Sequence, residues 1–228
     1  METTSLKLKP IPSTIQRGRM SHQQQHVFAT ELDNYCIDFN NIKKLTSLEA
    51  NLIFNNCSKL IIDIGFGNGD QLLQLSEQLP SYNFIGIELY KKGIATLIKN
   101  IKHKNIKNIK IIYGDAKELL KNFDNQLIFK VQIFFPDPWP KLRHHKRRLI
   151  NQDLLNIIKH KLLPNGILHI VTDSDNYSKH IIQLMQRFPE FNHLQQHNIQ
   201  RPTTKFEKTG LSLGNNISDM VFVLQSSI

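Results

Sequence analysis

From Lys59 onward the chain alternates short apolar runs with longer amphipathic stretches, and that alternation leaves few folds open. Leu60–Ile64, Phe84–Ile87, Ile109–Ile112, Ile128–Phe135 and Ile167–Val171 read as buried strands. Gln71–Leu79, Ile94–Ile101, Ala116–Asn122 and Leu149–Leu163 read as helices between them, the last stopped by Pro164-Asn165-Gly166, and Tyr177–Phe188 reads as another. Strands separated by helices imply βαβ units and an α/β fold with a doubly wound, mostly parallel sheet. Further strands near Phe191–Gln195 and Met220–Leu224, with a loop from Arg201 to Asp219 between them, predict an antiparallel edge hairpin at the C-terminal end.

A length of 228 residues with 40% hydrophobic content suits one large core. We expect a single domain over residues 31–228. Residues 1–30 hold Pro10, Pro12, Gly18 and a Gln/His stretch without sustained period, and read as an arm or flexible extension. No run reaches the roughly 18 apolar residues of a bilayer span, and the N-terminus lacks an apolar signal core, so we expect a cytoplasmic protein with no membrane partner. Cys36 and Cys57 lack CxxC spacing and an adjacent His pair; both read as reduced packing residues, and no metal is expected.

The net charge of +10 is concentrated. Seven lysines from Lys91 to Lys110, with no acid among them, and five cations from Lys141 to Arg148 together exceed it. The first run is interleaved with Ile and Asn and reads as a solvated helix face. The second, Lys141-Leu142-Arg143-His144-His145-Lys146-Arg147-Arg148, packs three Arg into six positions. Arg is the better phosphate fork, so this run reads as a polyanion contact.

Asp63-Ile-Gly65-Phe-Gly67-Asn-Gly69 joins the first strand to the first helix. Glycines there allow a tight turn and a ligand's approach to the backbone, at the sheet's carboxyl edge where open α/β folds bind ligands. The third Gly comes one residue too early for a dinucleotide fingerprint, and no G-K-[ST] marks a P-loop. Acids end three strands. Glu88 lies 19 residues past Gly69, near the ~20-residue offset of a ribose-binding acid. Asp115 is placed to accept an exocyclic amine, and Asp63 to attract an ammonium or sulfonium. A pyrophosphate would be repelled by this set, whereas a nucleoside carrying a cationic amino-acid tail suits it. A strand-end acid capping the next helix is the competing reading for each.

Phe134-Phe-Pro136-Asp137-Pro138-Trp139-Pro140-Lys141 follows the fourth strand. Prolines on both sides hold Asp137 on a stiff turn beside the chain's sole Trp. The Gly-rich turn, Gly86-Ile-Glu88, this segment with its basic tail, Thr172-Asp173 and Arg201-Pro-Thr-Thr204-Lys205-Phe206-Glu207 together resemble the bacterial tRNA (guanine-N7)-methyltransferases, from about residue 59 to the C-terminus. That resemblance implies a Rossmann-like class I methyltransferase fold, S-adenosyl-L-methionine as cofactor, tRNA as partner, and transfer to N7 of guanine 46 in the variable loop. It implies that Asp63, Glu88, Asp115 and Asp137 hold the cofactor beside Gly65, Gly67 and Gly69, with Asp137 also catalytic. Lys141, Asp173, Thr204, Lys205, Phe206 and Glu207 match substrate positions, and Arg143, His144, His145, Lys146, Arg147 and Arg148 the RNA-contacting run. The sequence departs from the family where Asp63 replaces an expected Glu and Pro140 a frequent His.

Guanine N7 has a lone pair and no proton, so the reaction needs alignment and charge stabilisation rather than a general base. Either Asp173 or Glu207 offers the carboxylate that matches guanine's N1–H and N2–H donors; the sequence leaves both open, as it does monomer against homodimer. Three rivals remain. An amino methyltransferase would carry Asp/Asn-Pro-Pro-aromatic, but Trp139 stands in place of the second Pro. A non-catalytic RNA-binding Rossmann protein has no use for the three glycines with three acids. A small-molecule methyltransferase leaves Arg143–Arg148 unexplained.

Overall fold

The computed structural model describes residues 19–39, 42–199 and 201–226, leaving out the side chains of Lys205 and Phe206. Seven strands form one sheet in the order β3-β2-β1-β4-β5-β7-β6. β1 (Lys59–Ile64), β2 (Tyr82–Glu88), β3 (Ile109–Tyr113), β4 (Ile128–Phe134) and β5 (Leu162–Thr172) are parallel, and β7 (Ser218–Leu224) runs antiparallel between β5 and β6 (Phe191–Leu194). The continuous apolar runs follow from burial on both faces. Strand order reverses between β1 and β4, and the crevice at their carboxyl ends is where such sheets take ligands.

Ile61, Phe84 and Ile111 face α3 (Asp70–Gln78) and α4 (Lys91–Lys104) on one side of the sheet. Ile62, Val131 and Ile170 face α6 (Gln152–Lys161) and α7 (Asp175–Met185) on the other, together with the short helices α2 (Ser47–Phe54) and α5 (Ala116–Leu119). α4 shows how the pattern works: Ile94, Leu97, Ile98 and Ile101 repeat at helical spacing and are buried, leaving its lysines outward.

The structure departs from the expected elements in several places. Helix α1 (His22–Tyr35) crosses the expected boundary at residue 30 and packs on α4. A capping box between Ser21 and Gln24 starts it. Part of the lysine run meets this packing: Lys102 pairs with Glu31 at 2.5 Å and Lys91 lies over the Phe28 and Tyr113 rings, while Lys104 pairs with Glu77 of α3 at 2.8 Å. Residues 1–18 of the expected arm lie outside the described residues. Helix α8 (Lys205–Ser212) occupies the segment expected as a loop, with Thr204 and Glu207 forming its capping box. Finally, α6 ends at Lys161 and β5 runs through Pro164-Asn165-Gly166, with Asn165 at φ 61° and a register shift against β4.

Candidate active site

Gly65, Gly67 and Gly69 all take positive φ (77°, 60° and 78°), the region an L side chain disfavours. A Cβ on Gly65 or Gly67 would meet nothing within 4 Å, so the loop's outer face is open to a ligand. Its inner face is closed by Gly86 of the Gly86-Ile-Glu88 segment and by Gly93, which the sequence did not single out. A Cβ on Gly93 of α4 would lie 2.0 Å from the Gly67 carbonyl oxygen, and one on Gly86 2.5 Å from the Phe66 ring.

Glu88 holds this loop. Its Oε2 accepts from the Gly67 amide at 2.8 Å, and its Oε1 from the Leu89 and Tyr90 amides at 2.6 and 3.0 Å. A carboxylate has about four acceptor sites, so these three bonds leave room for a hydroxyl donor. Burial raises its pKa; those amides oppose the rise, and the nearby Asp137 carboxylate adds to it. Asp63, only 3% exposed, is pushed up to about 7, mainly by burial and further by Glu88. Asp63, Glu88 and Asp137 therefore form one electrostatically linked set, which a cationic ligand would relieve. Asp115 follows the competing reading in part: its Oδ1 caps α5, accepting from the Lys117 and Glu118 amides at 2.8 and 3.2 Å.

The Pro-Asp-Pro-Trp turn leaves β4 under strain. Phe135 and Trp139 sit at φ 51° and 44°, a conformation costly for bulky residues and found where surrounding structure enforces it. The Phe135 amide donates to Val171 O of β5 at 2.7 Å, fixing the turn at the sheet's carboxyl edge. Leu142–Arg147 then forms a 3-10 helical segment that exposes Lys141, Arg143, Lys146 and Arg147. Arg147 lies over the Trp139 ring at 5.0 Å, while His144 meets it edge-on at 5.8 Å. His145 is half-buried near His180. Arg148 departs from the expected RNA run: it is 2% exposed and points inward.

Asp173, at the end of β5, touches helix α8: Gly210 packs on it, and its Oδ2 accepts from Asn215 Nδ2 at 3.4 Å. Glu207 is already engaged. It receives the Arg201 guanidinium through both oxygens at 2.5 and 3.0 Å, and also the Thr204 amide. The backbone at Lys205 and Phe206 forms the start of α8, but their side chains lie outside the described residues.

Arg201 also donates to Asp219 Oδ2 at 2.7 Å, and His169 Nε2 bonds Asp219 Oδ1 at 2.6 Å. His169 stands in register with Gln132 and Asp63 across β5, β4 and β1, so a buried polar row runs from the Gly loop to the segment bearing Glu207. The sequence singled out Asp63, in the Gly-turn motif, but not Gln132 or His169, which form no motif with their neighbours. His169, His197 and Asp219 have a spacing that could hold a cation, yet Arg201 and the buried Lys130 make the place electropositive, and the hydrogen-bonded reading suits it better.

Two opposite proton linkages lie in this row. Burial lowers the His169 pKa from 6.5 to about 4, so the unfolded chain protonates first and stability is lost as pH falls from 6.5 to about 4. Asp63, raised from 3.8 to about 7, holds its proton more tightly when folded, so its contribution grows as pH falls through about 7 toward 3.8. His169→Gln removes the first effect. Urea unfolding should then show the variant gaining stability relative to the wild type on acidification from pH 6.5 to 4, and parallel pH curves would refute the His169 assignment.

Residues 57–220 match the family model described as "Putative methyltransferase". The chain is 39% identical over 222 residues to a tRNA (guanine-N7)-methyltransferase of Nitrosococcus oceani, covering 96% of this chain and 92% of that protein. It is also 39% identical over 216 residues to the protein of the same name from Buchnera aphidicola, covering 92% and 89%. Among solved structures, the aminoglycoside resistance methyltransferase NpmB1 superposes with a TM-score of 0.53 at 16% identity, over 79% of this chain and 94% of that one, a likeness of fold.

Proposed function

Since the chain belongs to the tRNA (guanine-N7)-methyltransferase family, we propose that it methylates N7 of guanine 46 in the variable loop of tRNA, and does so in the cytoplasm. S-adenosyl-L-methionine, the family's cofactor, supplies a methyl group on a sulfonium sulfur. The observation that carries the residue assignment is the strained turn, which holds Asp137 within the field of Glu88 and leads directly into an exposed basic segment. The open face of the Gly loop and the three linked carboxylates fit a nucleoside with a cationic tail.

In this reading Gly65 and Gly67 admit the cofactor to the backbone, the remaining capacity of Glu88 takes its ribose, and Asp115, Asp63 and Asp137 complete the site. Lys141, Arg143, Lys146 and Arg147 hold phosphates, with His144 and His145 beside them. The N7 lone pair forms the new N–C bond as the C–S bond breaks and its electron pair returns to sulfur. No proton moves, and Asp137 favours the positive charge that appears on the base.

The geometry also ranks the two candidates for guanine recognition. Glu207 is held by Arg201 and Thr204, whereas Asp173 makes, among the described residues, one long hydrogen bond to Asn215. We assign the N1–H and N2–H contact to Asp173. Asp173→Asn keeps one acceptor of two, and a lost bidentate contact of about 1–3 kcal/mol should lower kcat/KM for tRNA by roughly 5- to 150-fold. Glu207→Gln should instead loosen α8 and lower the melting temperature. The reverse pattern would move recognition to Glu207.

The activity test uses labelled S-adenosylmethionine and unmodified tRNA, followed by the reduction and aniline treatment that cleaves at 7-methylguanosine. Cleavage at position 46 is expected. Label without cleavage would indicate an amino group as acceptor, and cleavage elsewhere would change the position.

A further inference from the structure

Arg147 and Arg148 are neighbours in sequence with opposite surroundings. Arg147 is exposed, while Arg148 is 2% exposed and turned beneath the Pro-Asp-Pro-Trp turn. Its Nε donates to the Pro138 carbonyl at 2.9 Å, its Nη2 donates to Asn176 Oδ1 on α7, and its guanidinium lies 4.7 Å from the centre of the Tyr177 ring. Tyr177 is fully buried, and its hydroxyl accepts from the Ile150 amide at 3.0 Å, anchoring the chain just past Arg148. We propose that Arg148 is a positioning residue: it clamps the strained turn to helix α7 and thereby sets the place of Asp137, rather than binding RNA.

The chemistry of the site fits this task. Pro138 O directly precedes Trp139, whose φ of 44° must be enforced from outside. A guanidinium reaches two acceptors on two elements while laying its flat face on an aromatic ring, which an ammonium cannot do. Among the described residues its contacts include a carbonyl, an amide oxygen and a ring, three neutral groups placed where a planar guanidinium reaches all of them at once. A side chain so enclosed has no route to a phosphate unless the turn it fastens comes apart.

The proposal rests on the methyltransferase reading, and wild-type turnover on tRNA tests that reading separately. Steady-state kinetics and the salt dependence of tRNA binding would be measured for Arg148→Ala, Arg148→Lys, Asn176→Ala, the Arg148/Asn176 double variant and Arg147→Ala. Misplacing a reacting group by about 1 Å costs on the order of 100-fold, so Arg148→Ala should lower kcat by roughly 10- to 100-fold with the salt slope unchanged. Arg148→Lys should recover part of the loss. Asn176→Ala should lower kcat in the same sense, and the double variant should be no worse than Arg148→Ala, because the two side chains act through one contact. Arg147→Ala, at a residue assigned to phosphate, should by contrast flatten the salt slope by about one unit. A flattened slope in Arg148→Ala, or losses that simply multiply in the double variant, would overturn the proposal. Should Arg148→Ala fail to fold, Asn176→Ala and Arg148→Lys decide it by the same two readouts.

Discussion

Asp137→Ala should lower kcat by roughly 100- to 1,000-fold, the range seen when one preorganised electrostatic contact to a developing charge is removed. Asp137 lies between two prolines on a strained turn at the sheet's carboxyl edge, and its field reaches Glu88. In the proposed reaction the base becomes a cation while the sulfonium charge disappears, so a carboxylate placed nearer the base than the sulfur favours the product side. Asp137→Asn separates charge from shape. It keeps the size of the side chain, and should retain much of the cofactor affinity while losing most of the rate. Single-turnover methylation, with cofactor affinity measured by calorimetry, distinguishes the two. Full activity in the Asn variant would show that Asp137 acts by shape, and the rate would then rest on alignment alone.

Gly93→Ala should weaken cofactor binding by at least roughly tenfold, although by helix propensity alone the change favours folding by about 1 kcal/mol. The local gain loses because the new Cβ would lie 2.0 Å from Gly67 O and 2.8 Å from its carbonyl carbon. The obstacle is backbone, so no flexible side chain can turn aside, and the loop itself must move. That displacement breaks the Gly67 amide contact to Glu88 and disturbs the face expected to receive the cofactor. Gly67→Ala makes a useful contrast. Its Cβ would meet no protein atom within 4 Å but would stand at φ 60°, so it carries backbone strain and intrudes on the ligand's side. Calorimetric titration with S-adenosylhomocysteine measures both. Unchanged affinity in Gly93→Ala would mean that the packing of α4 on the loop is irrelevant to the site.

Much of the site was legible because its signals are local. Positive φ at Gly65, Gly67 and Gly69 is a property of residues in one turn, and the stiffness of the turn around Asp137 is written in its prolines. The Thr204–Glu207 spacing was legible too, but it carries two meanings: it matches a substrate motif and is also the capping box of α8, a helix hidden within an expected loop. Helix α1 was missed for a different reason. It has no fully buried residue, and its order comes from contact with α4 rather than from a strong apolar stripe of its own.

The sequence by itself determined the order of the strands and of the helices α3 to α7 between them, the Gly turn, the acids that end β1 and β2, and the basic tail behind the Pro-Asp-Pro-Trp turn, since each depends on residues within a few positions of one another. The tertiary structure decided which of these groups are exposed and which are already engaged by protein partners. It turned Arg147 outward and Arg148 inward onto Pro138, Asn176 and Tyr177. It engaged Glu207 with Arg201, and among the described residues it gave Asp173 one long hydrogen bond, to Asn215. It also set Gly93 against Gly67. The physical reason is common to all: burial and hydrogen-bond partners are fixed by residues distant in sequence, and identical side chains take different roles according to what packs against them.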